Sequence, residues 1–282
     1  METGTGRQQL TLSDEELHSI ARLAYKQFGV VLNESKRPLI IGRLQKVVRD
    51  KGMHSIGEYI RYVEADKSGR ELLQLTDKLT TNHTFFFREA EHFEFFTQTA
   101  LPEFIRRPEN ARNQTIRLWC AGCSSGEEIY TLQILMREFF AATFNLWKIH
   151  CLATDISTKA LAAAEAGIYC DDRVKDVSNA LKFRYFQKQA NSWQIRADLR
   201  SSVMFKRLNF MRPQFPFKQK FHFIWCRNVM IYFDDPTRQT LVKKFHSVLA
   251  PGGYLFIGHS ETLGRTNDLF EYVQPALYRK KM

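Results

Sequence analysis

The sequence predicts an α/β protein preceded by a small all-helical domain. Two observations carry this. The first 80 residues repeat helix-start signals followed by apolar residues at helical spacing. From Thr115 onward, short apolar strands alternate with helix-length segments, the rhythm of a parallel sheet covered on both faces.

In the first part, Leu12-Ser13-Asp14-Glu15-Glu16-Leu17 opens a helix. Ser13 and Glu16 have capping-box spacing, and Leu12 and Leu17 stand where a hydrophobic staple packs. Leu17, Ile20, Ala21, Ala24 and Phe28 then mark one face, and Gly29 is placed to close the helix. A second helix is expected over about Arg37 to Asp50, with Pro38 tolerated in its first turn. Ser55 and Glu58 repeat the capping spacing ahead of a third, and a fourth covers about Glu71 to Leu79. The Phe-rich stretch Thr81 to Phe96 reads as a buried junction, and Arg107-Pro108-Glu109-Asn110 as a loop.

In the second part, strands are expected at Ile116 to Cys120, Lys148 to Thr154, Phe221 to Cys226 and Tyr254 to Ile257. Helices are expected over about Glu127 to Phe140, Ser157 to Ala166 and Pro236 to Leu249. The segment Asp171 to Lys206 breaks the rhythm. Its short alternating runs Trp193-Gln194-Ile195 and Val203-Met204-Phe205 suggest a small antiparallel insertion. The expected organisation is a helical domain over 1–80, a linker over 81–110 and an α/β domain over 111–282, with the β-insertion at about 171–206.

Composition bounds the function classes. With 282 residues, 44% hydrophobic and 25% charged, the chain has ordinary globular composition. No apolar run approaches the roughly 18 residues of a membrane span, and the polar start Met1 to Leu10 lacks the apolar core of an export signal. Five cysteines without such a signal point to free thiols in a reducing cytoplasm. Cys120 and Cys123 form an isolated C-x-x-C pair. A metal site needs further ligands at comparable spacing, so the pair reads as small residues around a turn and no metal is expected. The net charge of +11 fits an acidic partner, whether nucleic acid, anionic membrane surface or acidic protein face.

Chemistry concentrates in Leu118-Trp119-Cys120-Ala121-Gly122-Cys123-Ser124-Ser125-Gly126-Glu127-Glu128. A strand runs into small residues, which let backbone approach a ligand, and then into a helix start. Two carboxylates there oppose a pyrophosphate and suit an ammonium or sulfonium group. Neither a P-loop nor G-x-G-x-x-G is present. The next strand ends in Ala153-Thr154-Asp155, where an acid can accept from both ribose hydroxyls or simply cap the following helix. Ribose recognition without phosphate recognition describes S-adenosyl-L-methionine.

Five separated motifs in order now carry a resemblance. They are Asn82-His83-Thr84-Phe85-Phe86-Phe87-Arg88-Glu89, the Cys120 to Glu128 loop, Ala153-Thr154-Asp155-Ile156, Cys226-Arg227-Asn228-Val229-Met230-Ile231-Tyr232-Phe233 and Gly258-His259-Ser260-Glu261. Together, over roughly Leu12 to Tyr278, they resemble the CheR-type chemoreceptor methyltransferases. The resemblance implies a Rossmann-like methyltransferase domain carrying a small antiparallel β-subdomain, with S-adenosyl-L-methionine as cofactor. It implies methyl esterification of glutamate side chains on the cytoplasmic helices of methyl-accepting chemoreceptors, by a cytoplasmic protein expected to be a monomer.

Residue roles follow from the resemblance only. Asn82, Thr84 and Arg88 would close over the cofactor. Glu128 would meet the methionyl amino group, Asp155 the ribose, and Asn209 with Phe210 the adenine. Arg227 and Asn228 would line the site. Arg88 and Tyr232 would act at the reacting methyl, with Arg88 needing an anionic partner: the cofactor's carboxylate, the incoming glutamate, or structurally Glu89 or Glu91. Arg43, Lys46 and Arg49, three residues apart, would present a basic helix face to the receptor. A receptor C-terminal pentapeptide is not expected to bind, because Tyr185-Phe186 leads to Trp193 through a short segment without glycine.

Two other readings stay open. The charge favours a nucleic-acid methyltransferase, although Arg227-Asn228-Val229-Met230 lacks the prolines of the base-amino tetrad. A catalytically inactive module of the same fold is the other, opposed by the intact set Arg88, Glu128, Asp155 and Tyr232.

Overall fold

The structure, a computed structural model, describes residues 10–80 and 82–281. Most of the polar N-terminal stretch, and Thr81 at the expected start of the linker, lie outside them. The chain forms two compact units that divide after Thr81.

The first unit holds four helices, Asp14–Phe28, Arg37–Asp50, Ile56–Ala65 and Arg70–Leu79. Ser13 and Glu16 make the reciprocal capping box, with Glu16 N–H donating to Ser13 Oγ at 3.2 Å and Ser13 N–H to Glu16 Oε2 at 2.9 Å. Gly29 closes the helix at φ 73°, a left-handed conformation that glycine adopts without a Cβ penalty. The other oxygen of Glu16 accepts the Gly57 N–H at 2.7 Å, tying the first helix to the third. The second capping box is only half made: Ser55 accepts Glu58 N–H, but Glu58 turns to His54 N–H at 2.9 Å. Leu17, Ile20, Ala24, Ile40, Leu44, Val48 and Ile60 fill the core, all at the positions that helical spacing places on one face.

The second unit contains β1 (Thr115–Ala121), β2 (Lys148–Asp155), β3 (Ile168–Cys170), β4 (Phe186–Gln189), β5 (Ser192–Ile195), β6 (Val203–Arg207), β7 (Phe221–Cys226), β8 (Leu249–Ile257), β9 (Phe270–Gln274) and β10 (Leu277–Lys280). The main sheet has the order β6-β2-β1-β7-β8-β10-β9. The pairings from β6 through β8 are parallel, and β10 runs antiparallel to both neighbours. A separate antiparallel sheet, β3-β5-β4, makes the small subdomain.

Val203–Arg207 corrects one expectation. It belongs to the main sheet, parallel to β2 from Cys151↔Val203 to Asp155↔Arg207, and not to the insertion. Its alternating burial is that of an edge strand covered on one face, which either sheet could have used. The expected loop at Arg107 to Asn110 is instead the start of a helix, Pro108–Asn113. The segment from Asn82 belongs to the second unit. Its helix Ala90–Phe95 and the π-helical turn Phe96–Ala100 lie on the sheet. Phe93 stacks on Trp225 at 5.1 Å, and Phe96 meets Phe223 edge-on at 5.1 Å. Buried Trp119 packs among Phe215, Phe217, Phe221 and Phe245, and its indole N–H donates to Thr154 Oγ1 at 2.9 Å.

β1 has β2 on one side and β7 on the other: the chain leaves β1 toward β2 and β6, then crosses back from β6 to place β7 on the opposite side. A crevice therefore opens beyond the carboxyl ends of these strands, at the switch point where open α/β sheets bind ligands. Ala121, Asp155 and Cys226 end the three strands there.

Candidate active site at the strand ends

The loop after β1 is shaped by its own packing. Gly122 and Gly126 have φ 86° and 95°, and Ser124 has φ 49°. A Cβ on Gly122 would meet Val229 Cγ2 at 2.5 Å, and one on Gly126 would meet Ala164 at 3.0 Å. These glycines thus serve backbone conformation and internal packing.

The loop's amides are also committed. Gly122 and Cys123 N–H donate to Thr154 O at 2.7 and 2.9 Å, Gly126 N–H to Cys123 O at 3.0 Å, and Ser124 N–H to Asp155 Oδ2 at 2.8 Å. A phosphate needs such amides, and none of these four is free for one. The helix Glu127–Phe140 begins with two carboxylates. This donor set fits a cationic cofactor and opposes a pyrophosphate.

The two carboxylates part ways. Glu127 is wholly buried, 3.1 Å from the Arg173 guanidinium, and accepts from Ser125 Oγ at 2.8 Å. Burial pushes its carboxyl above the usual range despite Arg173. Arg173 also donates to Thr84 O at 2.7 Å, so it fastens the segment after Asn82 to the loop. Glu128 turns to Arg227, whose Nη1 lies 3.0 Å from Glu128 Oε2. Cys120 Sγ donates to Glu128 Oε1 at 3.2 Å, and burial holds that thiol protonated, well above its ordinary pKa.

Arg227 is the centre of the site. Its side chain is 1% exposed. Nη2 lies 3.1 Å from Glu89 Oε2 and also donates to Arg88 O. The guanidinium faces Phe93 and Trp225 at 5.2 and 5.6 Å from their ring centroids. The two carboxylates respond differently. Burial raises Glu128, and Arg227 only partly offsets it. Burial also acts upward on Glu89, but Arg227, Asn228 and His259 together leave it below the ordinary range.

Glu261 does for the next turn what Arg227 does for the centre. It is buried and accepts the N–H groups of Gly258, Asn228 and Ile231 at 2.5, 3.1 and 3.2 Å. Burial raises its carboxyl and these backbone donors pull it back. They hold Asn228 at φ 57°, from which its Nδ2 donates to Glu89 Oε1 at 3.2 Å. Tyr232 ends the 3-10 turn Met230–Tyr232 that follows.

Other expected site residues take these places. Asp155 accepts Ser124 N–H and Ser157 N–H at 2.8 and 2.9 Å, so each oxygen holds a loop amide besides any ligand. Asn209 and Phe210 follow β6, where Leu208 N–H donates to Asp155 O at 3.0 Å. Asn209 Oδ1 accepts Met211 N–H at 2.9 Å. The Phe210 ring packs on Trp119, Phe215 and Phe245, which commits it to the aromatic cluster. Asn82 is half-buried in the irregular segment that leads to Thr84. Arg88 Nη1 donates to His83 O at 3.0 Å, and its Nε lies 3.8 Å from Glu89 Oε1. In the first unit, Arg43 donates to Leu79 O and Thr80 O at 2.6 and 3.1 Å, closing the C-terminus of a helix, whereas Lys46 and Arg49 are exposed.

Glu261 and Arg173 were not singled out from sequence, and Glu89 was named only as a structural partner for Arg88, not as a partner of Arg227. Glu89 and Glu261 stood inside quoted motifs, beside Arg88 and after His259. Arg173 carried no signal, being one arginine in an irregular segment.

Comparison with known proteins agrees with this architecture. The family model described as CheR methyltransferase, SAM binding domain, matches residues 82–278. The model described as CheR methyltransferase, all-alpha domain, matches residues 15–80. The chemotaxis protein methyltransferase of Borreliella burgdorferi is 43% identical over 272 residues, 96% of each chain. That of Escherichia coli is 34% identical over 267 residues, covering 93% of this chain and 90% of the other. A probable chemotaxis protein methyltransferase of Rhizobium etli is 34% identical over 262 residues, 91% of this chain and 96% of the other. The chain belongs to the CheR methyltransferase family, as an all-α domain followed by a Rossmann-like S-adenosylmethionine-binding domain with a small antiparallel subdomain.

Proposed function

We propose that the protein esterifies glutamate side chains of methyl-accepting chemoreceptors, leaving S-adenosylhomocysteine. The observation that carries the carboxylate reading is the contrast between two arginines. Arg227 is buried, with its charge paired to Glu89 and Glu128. Arg88 has a side chain 27% exposed, one carbonyl partner and a 3.8 Å approach to Glu89. Of its five N–H donors, most remain for an incoming anion.

S-adenosylmethionine supplies an activated methyl group when bound. Glu128 and Asp155 are proposed to hold the methionyl ammonium and the ribose, with Asn82, Thr84, Asn209 and Asn228 lining the same crevice. Arg227 keeps Glu128 in place. A glutamate nucleophile, with an ordinary pKa of about 4.3, is already ionised at neutral pH. No general base is required, and the protein's task is alignment and exclusion of water. Arg88 orients the carboxylate, and Tyr232 shapes the methyl path. Lys46 and Arg49 offer an exposed basic face to an acidic receptor helix, whereas Arg43 is spent within its own unit.

The direct test is transfer of radiolabelled methyl from S-adenosylmethionine to receptor, RNA and DNA. Label should enter receptor alone and be released by base as a methyl ester. Base-stable label, or label in nucleic acid, would sink the reading.

Three outcomes follow. Asp155→Ala should weaken cofactor binding by about 1–3 kcal/mol, and unchanged calorimetric affinity would refute its ribose role. Arg88→Ala at saturating cofactor should lower turnover roughly a hundredfold, whereas near-normal turnover would make Arg88 structural. Lys46→Glu with Arg49→Glu should slow receptor methylation at low salt and leave cofactor affinity intact. Equal rates for variant and wild type would remove the docking face.

A further inference from the structure

Beside the crevice, two histidines that the reading above does not use meet Glu89. Glu89 Oε2, a ring nitrogen of His92 and a ring nitrogen of His259 lie within 4.8 Å of one another. His92 is 0% exposed, and among the described residues neither of its ring nitrogens has a hydrogen-bond partner. The Pro275 carbonyl acts on the ring but stands outside hydrogen-bond geometry. A buried imidazole without partners is costly, and such groups are exceptions that call for a ligand or a function.

The separations suit an ion better than direct bonds. His92 Nδ1 is 3.6 Å from Glu89 Oε2, and His259 Nε2 is 3.8 Å from the same oxygen. Both are too long for hydrogen bonds. Ligand atoms at the corners of a tetrahedron with bonds of about 2.0–2.2 Å stand roughly 3.4 Å apart, so both histidine–carboxylate separations lie within a few tenths of an ångström of that figure, and the widest separation in the cluster, up to 4.8 Å, closes by a swing of the exposed His259 ring. The two imidazoles meet edge-on with centroids 4.7 Å apart. His259 is 45% exposed on its side chain, which gives an ion a way in. Glu91 Oε2 lies 4.0 Å from His259 Nε2, at the exposed edge of the cluster. Two imidazoles with carboxylate are the donors of a borderline transition ion, whereas calcium and magnesium take oxygen shells.

We propose that Glu89, His92 and His259 form a binding site for a divalent ion of the zinc class. The site adjoins the crevice through one atom. Glu89 Oε2 also faces Arg227 Nη2 at 3.1 Å, so ion and arginine draw on the same oxygen. Metal binding goes beyond the esterification reading and does not depend on it.

The test is calorimetric titration of the chelator-treated, dialysed full chain with zinc chloride, without cofactor or receptor. Cobalt(II) absorption serves as a second readout. One ion should bind per chain, with a cobalt spectrum of tetrahedral nitrogen and oxygen ligation. His259→Ala, an exposed position that should fold, is expected to weaken zinc binding roughly tenfold or more. His150→Ala, an exposed histidine elsewhere, should leave it unchanged. Absence of zinc binding, unchanged affinity in His259→Ala, or a cobalt spectrum with thiolate charge transfer would each overturn the proposal.

Discussion

The buried Arg227 guanidinium is the constraint on which the site depends. It follows the last residue of β7, and its two sides reach Glu128 on the helix after β1 and Glu89 at the foot of the Asn82–Glu89 segment. Taking one cation and two carboxylates out of water costs several kcal/mol per ion. The cost is offset only because the pairs are close, and because Arg88 O, Phe93 and Trp225 complete the surroundings. Removing the arginine would leave two partly covered carboxylates facing one another, which is why such a triad holds three segments in one arrangement.

Carboxylates also set the backbone of the crevice. Glu261 accepts three amides and holds Asn228 in a left-handed conformation. Asp155 accepts two and holds Ser124 in another. Such conformations are strained for residues with a Cβ and persist where the surroundings over-determine them. Gly258 shows how tight the fit is, since a Cβ there would meet Asn228 Nδ2 at 2.5 Å. Acidic residues in this protein are therefore structural anchors before they are ligands. The crevice that suits a sulfonium cofactor is a consequence of the same charge distribution.

Local signals were legible where one segment sets its own structure. Ser13 with Glu16, Gly29 and the apolar spacing of the first helix gave its bounds closely, and the apolar runs at Cys120, Asp155 and Cys226 marked three strands. Signals failed where structure depends on distant partners. Val203–Arg207 alternates as an edge strand of either sheet would. Around Phe93 and Phe96 the apolar residues are interrupted by Glu91, His92 and Glu94, and the helix is too short to show a period. β9 and β10 are short and carry charged residues, so neither reads as a core strand. Arg227, Glu128 and Asp155 were expected in the site, but their partners were not, because Glu89 and Arg227 are far apart in sequence. Arg43 shows the converse: a basic residue at regular spacing that looked solvent-facing is used to cap a neighbouring helix.

The account's central claim is that Arg227 and Glu89 act as one unit. A double-mutant cycle on unfolding free energy, using Arg227→Gln, Glu89→Gln and the double variant, measures this directly. The buried pair predicts non-additivity of about 1 kcal/mol or more, with each single variant costing more than the pair removed together would suggest. Costs that add within about 0.5 kcal/mol would mean the two residues are independent, and would contradict the account.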